Sequence, residues 1–213
     1  MVLIFPLYFL KYRVILTYRG QNPFLDIKDF DIESFRANSY YLTALEDDSL
    51  TTQIKLVKKI KKRNSRAVFC YNPSCSLVKN YYIELKQLIG LSDILILNYE
   101  EAQRILKNDD LRISPCLKGI YNLGPSIVII TDGGHGAYAY DGKSEYFVKS
   151  FQTNKILDTT GAGDSYGGTF FYFYRSGYGL KKSMEYAAIN AASVIGKKGS
   201  LPGLKYYDDI IKK

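Results

Sequence analysis

From about residue 39 the chain alternates short, β-rich apolar runs with stretches of helical periodicity, and this alternation restricts the fold more than any other feature. SYYLTAL (39–45) reads as a strand and LTTQIKLVKKIKKR (50–63) as the helix after it. RAVFCY (66–71) is the next strand, followed by a helix over LVKNYYIELKQLIG (77–90) that closes on Gly90. DILIL (93–97), NYEEAQRILK (98–107) and SIVIIT (126–131) repeat the pattern as strand, helix and strand. The strand runs are almost continuously apolar, as expected where both faces of a parallel sheet are covered. Gly133-Gly134 then breaks the rhythm, and Asp141-Gly142 between alternating apolar runs (137–148) predicts a hairpin. Helices are expected after Gly161, around 180–195 and around 205–212. The prediction is an α/β fold: a doubly wound, mostly parallel sheet flanked by helices, in one domain spanning 1–213. No internal repeat or low-complexity linker interrupts it.

The N-terminal segment MVLIFPLYFLKYR imitates a targeting sequence, but its ten-residue apolar run is too short to cross a bilayer. It also lacks a basic region before the run and a small-residue cleavage site after it, so a strand is expected. A formal net charge of +8 suits an anionic partner such as a nucleotide, a phosphorylated product, nucleic acid or a membrane surface. The densest basic run, Lys58 to Arg63, reads as the solvated end of a helix. No nucleic-acid recognition motif or basic face with interleaved aromatics accompanies the charge, so nucleic acid is not an expected partner, and the anion stays open at this point. The cysteines, Cys70, Cys75 and Cys116, are odd in number and lack CxxC spacing, and His135 is the only histidine. That pattern argues for reduced thiols in a cytoplasm, against a disulfide framework or a zinc site, and against Ser-His-Asp or Cys-His catalysis.

In an open α/β sheet, ligands bind beyond the carboxyl ends of the strands. Three unusual loops fall there: Asn98 with Glu101, Thr131-Asp-Gly-Gly, and DTTGAGD (158–164) leading into FFYFY. Gly161-Ala162-Gly163 allows a tight turn in which free N–H groups at the start of the next helix converge on one spot, an anion site suited to phosphate. Asp164 puts a carboxylate beside that anion. Such a neighbour is useful where a hydroxyl must lose its proton, and the pair therefore points to phosphoryl transfer to a hydroxyl. Each element also has a plain structural alternative. Gly-Ala-Gly can be a tight strand-to-helix connection with Asp164 as a dipole partner, Asn98 and Glu101 can form a capping box, and Thr131 can simply end a strand.

DTTGAGD followed by Ser-Tyr-Gly-Gly resembles the C-terminal signature of the ribokinase-like carbohydrate kinases, also called the PfkB family. Asn98-Tyr-Glu-Glu101 resembles the family motif that organises magnesium and the phosphates. Thr131-Asp-Gly133-Gly-His-Gly136-Ala resembles its nucleotide loop, and Lys198-Gly199-Ser200 resembles a segment lying beside the nucleotide. The resemblance runs from about residue 14 to the end. It implies an ATP-dependent kinase with Asp164 as base and Gly161, Ala162 and Gly163 as anion hole. It further implies that Asn98 and Glu101 act on magnesium through water, that Thr131, Gly133, Gly136 and Gly199 line the ATP pocket, and that Asn190 lies near the adenine. Asp158 and Thr160 match positions that hold potassium or sodium in cation-dependent members. The acceptor implied is a small sugar, with a nucleoside as the alternative, and a homodimer is compatible with the reading. Family members begin with a strand and a glycine-rich sugar motif, so the resemblance implies a missing front portion. On that reading residues 1–20 belong to lid strands and TYRGQNPFLD (17–26) is the return to the core. Asn72 sits where many members carry D-x-N-x-R, but Cys70 and Ser74 occupy the acidic and basic positions, leaving the sugar unidentified. A nucleotide-binding protein without turnover, and a nucleic-acid binder suggested by charge alone, are the competing classes.

Overall fold

The computed structural model describes residues 3–9, 12–18, 25–151, 153 and 156–212, with side chains from residue 25 onward except that of Cys75. The chain divides into two units, one formed by residues 1–38 and 44–67 and the other by 39–43 and 68–213.

In the first unit the N-terminal segment forms two strands rather than the expected one. β1 (Leu3–Phe9) and β2 (Tyr12–Tyr18) pair antiparallel, with Leu3 opposite Tyr18. Neither glycine nor proline stands between the two apolar runs, which is why the segment reads as continuous in sequence. Residues 19–24 of the TYRGQNPFLD segment lie outside the described residues. Two 3-10 turns, Ile27–Asp29 and Ile32–Ser34, precede helix α1 (Asp47–Arg63). Leu25 ties the first turn to α1: its N–H donates to Ser49 Oγ (2.9 Å) and its carbonyl accepts from Thr52 Oγ1 (2.8 Å). Leu50, Ile54, Val57 and Ile60 form the buried stripe of α1, while Lys58, Lys59, Lys62 and Arg63 are exposed near its C-terminus, where cations complement the helix dipole.

The second unit is built on a six-stranded sheet in the order β3 (Ser39–Thr43), β4 (Val68–Asn72), β5 (Ile94–Asn98), β6 (Ile127–Thr131), β7 (Ala137–Tyr140), β8 (Glu145–Val148). β3 to β6 run parallel; β7 and β8 complete the sheet as an antiparallel hairpin. The hairpin turns where Asp141-Gly142 predicts it, with Gly142 at φ +86° and Asp141 Oδ1 accepting from the N–H groups of Lys143 and Ser144. Because strand side chains alternate in direction, the buried residues sort onto two faces. Cys70, Ile94, Ile96, Ile127, Ile129, Ala137 and Ala139 share a core with Tyr166, Phe170, Met184 and Ala187 of helices α6 (Ala162–Arg175) and α7 (Leu180–Ile195). Phe69, Tyr71, Leu95, Leu97, Val128 and Ile130 are buried on the other face, where α3 (Tyr82–Leu91), α4 (Tyr99–Ile105) and α5 (Ile113–Tyr121) pack against β4 to β7. Helices thus cover both faces of a mostly parallel sheet.

Two elements depart from the sequence expectation. The helix expected over 77–90 is broken at Tyr81 (φ −135°, ψ 43°) into α2 (Cys75–Asn80) and α3. Tyr82 at the break donates its hydroxyl to the Ile105 carbonyl (3.0 Å), a tertiary bond that helical periodicity does not encode. α5 has no counterpart in the expectation, because Pro115 and Gly119 disguise it. Pro115 falls in the first turn, where its missing N–H has no helical partner to lose, and Gly119 lets the helix approach Leu106, whose side chain would lie 2.9 Å from a Cβ there. A last short helix, α8 (Tyr207–Ile211), packs on α7. Among the described residues no helix is long and apolar enough to cross a membrane.

Candidate functional site

The parallel strands end together. Thr43, Asn72, Asn98 and Thr131 are the last residues of β3, β4, β5 and β6, and the register pairs Thr43 with Asn72 and Asn98 with Thr131. The loops singled out from the sequence leave from this edge.

Asn98 and Glu101 form a reciprocal capping box at the start of α4. The Glu101 N–H donates to Asn98 Oδ1 (2.8 Å), and the Asn98 N–H donates to Glu101 Oε2 (2.9 Å). The plain structural alternative is therefore realised, and it holds a buried carboxylate at the sheet edge. Beneath it the fully buried Tyr71 phenol is pushed well above its ordinary value, chiefly by burial and then by the Glu101 charge. In the next loop Thr131 Oγ1 donates to the Leu97 carbonyl (3.3 Å). Gly136 has φ +120°, and a Cβ there would lie 2.4 Å from the Val148 carbonyl oxygen, so the hairpin itself demands glycine. Gly133 (φ +50°) and Gly134 are different: a Cβ on either would meet nothing within 4 Å, leaving their backbone open to a ligand. His135 is an exposed turn residue whose Nδ1 lies 3.0 Å from Asp132 Oδ2.

The segment 158–164 is fixed by Asp158, which is buried. Its Oδ1 accepts from the Thr160 N–H (2.9 Å) and Thr160 Oγ1 (2.6 Å), and its Oδ2 accepts from the Gly199 N–H (3.1 Å). One carboxylate thus ties the turn before α6 to the 198–200 segment, in which Gly199 has φ +91°. Gly161 is the N-cap of α6 in the left-handed region (φ +79°), and a Cβ on it would strike Ser200, at 2.7 Å from Cβ and 3.1 Å from Cα. No side chain caps α6. The Ala162 N–H donates to the Thr159 carbonyl (3.3 Å), and the positive end of the helix is open around Gly163, where a Cβ would meet nothing within 4 Å. Asp164 stands exposed in the same first turn.

Three residues complete the surroundings: Tyr41, which carries no signal in the sequence, Asn72, and Gly167 of the Ser-Tyr-Gly-Gly segment. Gly167, one turn after Asp164, is so close to β3 and β4 that a Cβ on it would lie 2.1 Å from the Tyr41 hydroxyl and 3.3 Å from Asn72 Nδ2. Asn72 Nδ2 donates to that hydroxyl (3.1 Å). Burial pushes the Tyr41 phenol well above its ordinary value; the neighbouring Cys70 thiol and the Asp164 charge push the same way, against the opposing bond from Asn72. Cys70 is wholly buried and burial raises its thiol likewise; with Cys116 it is a packing residue carrying a free thiol. Asn190, on α7, has Nδ2 donating to Thr169 Oγ1 (2.8 Å) and Oδ1 accepting from the Lys205 N–H (2.9 Å). It binds α7 to α6 and to the segment before α8. Among the described residues no three His, Cys, Asp or Glu side chains converge as a metal cage.

Comparison with known proteins places this geometry in context. The profile of the pfkB family carbohydrate kinases matches residues 10–205. A 5-dehydro-2-deoxygluconokinase of Halalkalibacterium halodurans is 26% identical over 220 residues, covering 93% of this chain and 64% of the relative. A nucleoside kinase of Methanocaldococcus jannaschii is 26% identical over 157 residues, covering 74% of this chain and 50% of the relative. The chain therefore spans between half and about two thirds of the length of these relatives. An E. coli protein described as a ribokinase II, solved in complex with ATP and Mg2+, superposes with a TM-score of 0.85 at 19% identity, over 98% of this chain and 69% of that one. The solved M. jannaschii nucleoside kinase, a member of the ribokinase family, gives 0.77 at 21% identity, over 94% and 63%.

Proposed function

The chain belongs to the pfkB family of carbohydrate kinases, and from that membership we propose that it transfers the terminal phosphoryl group of ATP to a hydroxyl of a small sugar. The start of α6 carries the reading: an uncapped helix N-terminus, turned at Gly161, with the exposed Asp164 carboxylate in its first turn. In the proposed reaction the amides of Gly161 and Gly163, joined by that of Ala162 as it exchanges its 3.3 Å bond to the Thr159 carbonyl, donate to the oxygens of the moving phosphoryl group, which gain stabilisation as charge develops on them. Asp164 accepts the proton of the acceptor hydroxyl, so that the oxygen can form its bond to phosphorus while the bond to the leaving diphosphate breaks.

The open backbone at Gly133 and Gly134 supports placing the nucleotide along the 131–136 loop, with Thr131 at its entrance and Gly136 shaping the hairpin behind it. Gly199 borders the same site through its bond to Asp158. A carboxylate at the loop edge fits magnesium, which keeps most of its waters and takes phosphate oxygens; Glu101, ordered by Asn98, would hold it through water, and it would supply neutralisation of phosphate charge. Asp158 already accepts three hydrogen bonds from Thr160 and Gly199, so we assign it with Thr160 to the architecture of the loop and derive no step through potassium or sodium. Asn190, satisfied by Thr169 and Lys205, is likewise assigned to the packing of α7 rather than to adenine. The free thiols of Cys70 and Cys116 suit a cytoplasmic protein.

A nucleoside is the second acceptor class, supported by the similarity to the M. jannaschii nucleoside kinase. The test is ATP consumption by this chain and its Asp164→Asn variant against a panel of sugars and nucleosides, with ATP·Mg affinity measured alongside. The variant should keep its nucleotide affinity and lose a factor on the order of 10² or more in turnover, the range for removing a general base. Equal turnover would remove Asp164 from the mechanism. ATP binding without turnover on any acceptor would leave a nucleotide-binding protein as the better reading.

A further inference from the structure

Resting on that kinase reading, we propose that Tyr41 and Asn72 form a recognition element for the phosphoryl acceptor. Asn72 Oδ1 accepts a hydrogen bond from an acceptor hydroxyl, and Tyr41 is the positioning residue that holds the amide in this orientation.

The argument begins with the sheet. Asn72 is the last residue of β4, so its side chain stands at the carboxyl edge among the ends of the parallel strands. Tyr41 lies two positions further back on β3, paired with Cys70, and its hydroxyl reaches forward to Asn72 Nδ2 at the same edge. An amide side chain can present either its oxygen or its nitrogen to a ligand, and the two ends recognise opposite partners. Here Asn72 Nδ2 is committed to the Tyr41 hydroxyl at 3.1 Å, while Oδ1 has no partner among the described residues. The amide is therefore set with its acceptor atom available. The setting is rigid, because the Tyr41 ring packs against Phe171 (centroids 5.9 Å apart) and its hydroxyl is seated on Gly167 with no room for a methyl group between them.

The location makes this more than a packing contact. Gly167 is one turn beyond Asp164 on α6, and residues three apart share a helix face. The contact of Tyr41 and Asn72 with Gly167, three residues after Asp164, puts the pair beside the turn of α6 that carries the carboxylate. Burial keeps the phenol protonated, so it remains a neutral hydroxyl beside that carboxylate. A neutral amide oxygen and a neutral phenol suit a neutral, polyhydroxylated acceptor: the hydroxyl adjacent to the one being phosphorylated can donate to Asn72 Oδ1 while the reacting one faces Asp164.

The test reads binding and needs no turnover. The wild-type chain, Tyr41→Phe, Asn72→Ala and the double variant are titrated by calorimetry with uridine, adenosine, D-ribose and D-fructose in the presence of ADP·Mg, and ADP·Mg affinity is measured on the same samples. Wild type should bind at least one of the four. Tyr41→Phe, which keeps the ring, should weaken that acceptor about three- to tenfold, the scale of one neutral hydrogen bond, with ADP·Mg affinity unchanged within about twofold. The double variant should bind no more weakly than Asn72→Ala, because Tyr41 acts only through Asn72. Unchanged acceptor affinity in Tyr41→Phe overturns the proposal, as does a parallel loss of nucleotide and acceptor affinity, which marks a strut under α6. So does a wild type that binds ADP·Mg but none of the four. A wild type that fails to bind ADP·Mg refutes the kinase reading first, and this proposal falls with it.

Discussion

Replacing Gly161 and Gly163 separately by alanine should divide what the turn before α6 needs for folding from what it needs for a ligand. At Gly161 an alanine faces two costs. The left-handed conformation (φ +79°) disfavours a Cβ by about 1–2 kcal/mol. The added methyl would also lie 2.7 Å from Ser200 Cβ, 3.1 Å from its Cα and 3.2 Å from its carbonyl oxygen. Two of those three atoms are backbone and cannot rotate away, so the 198–200 segment must shift, with an overpacking cost of about 1–3 kcal/mol. The total, about 2–5 kcal/mol, corresponds to a fall in Tm on the order of 5–15 °C for a chain of this length. At Gly163 neither cost applies: the residue lies inside α6, outside the positive-φ glycines, and its Cβ would meet nothing within 4 Å. Alanine there gains up to about 1 kcal/mol of helix propensity, less in a first turn, so Tm should hold or rise by a few degrees. If the open space at Gly163 is where phosphate approaches, ATP·Mg affinity in that variant should nevertheless fall by roughly tenfold or more. Scanning calorimetry supplies the stabilities and titration calorimetry the affinities. An unchanged Tm in Gly161→Ala would refute the strain argument. Wild-type affinity in Gly163→Ala would refute the placement of the anion.

Asp158→Ala should cost about 1–3 kcal/mol in urea unfolding, because it strands the half-buried donors of Thr160 and Gly199 at once; a loss below about 0.5 kcal/mol would show that the tie between the two loops is not needed. At the β7–β8 hairpin, the Asp141 carboxyl is held below its ordinary value of 3.8 by hydrogen bonds from the Ser144 N–H first, then the Lys143 N–H and the Tyr146 hydroxyl. A depressed carboxyl gives stability that is fully present above pH 3.8 and is lost as pH falls through the lower folded value. Wild type should therefore exceed Asp141→Ala by about 1 kcal/mol near pH 7, and the gap should shrink below pH 3.8; a gap that widens with acid would reverse the assignment.

Features that depend on near neighbours were legible from the sequence. The β–α alternation from residue 39 follows from apolar periodicity, and the hairpin follows from Asp141-Gly142. The Asn98–Glu101 box joins residues three apart, and Gly161 starts a helix because a glycine before Ala-Gly-Asp is where a chain can turn left-handed. Elements with misleading local chemistry were not legible. α5 contains Pro115 and Gly119 and is held by its fit to Leu106, while the helix expected over 77–90 breaks at Tyr81 beside a hydroxyl bond to Ile105. The candidate site repeats the distinction. Asp164 and its glycines announce themselves as one contiguous segment, but only the folded sheet brings Tyr41 and Asn72 under Gly167, Asp158 onto Gly199, and Asn190 onto Lys205. Those partners are chosen by strand order and by which face of the sheet a helix crosses. Spacing along the chain fixes the direction of a side chain, but the residue it meets depends on the packing of every element between them.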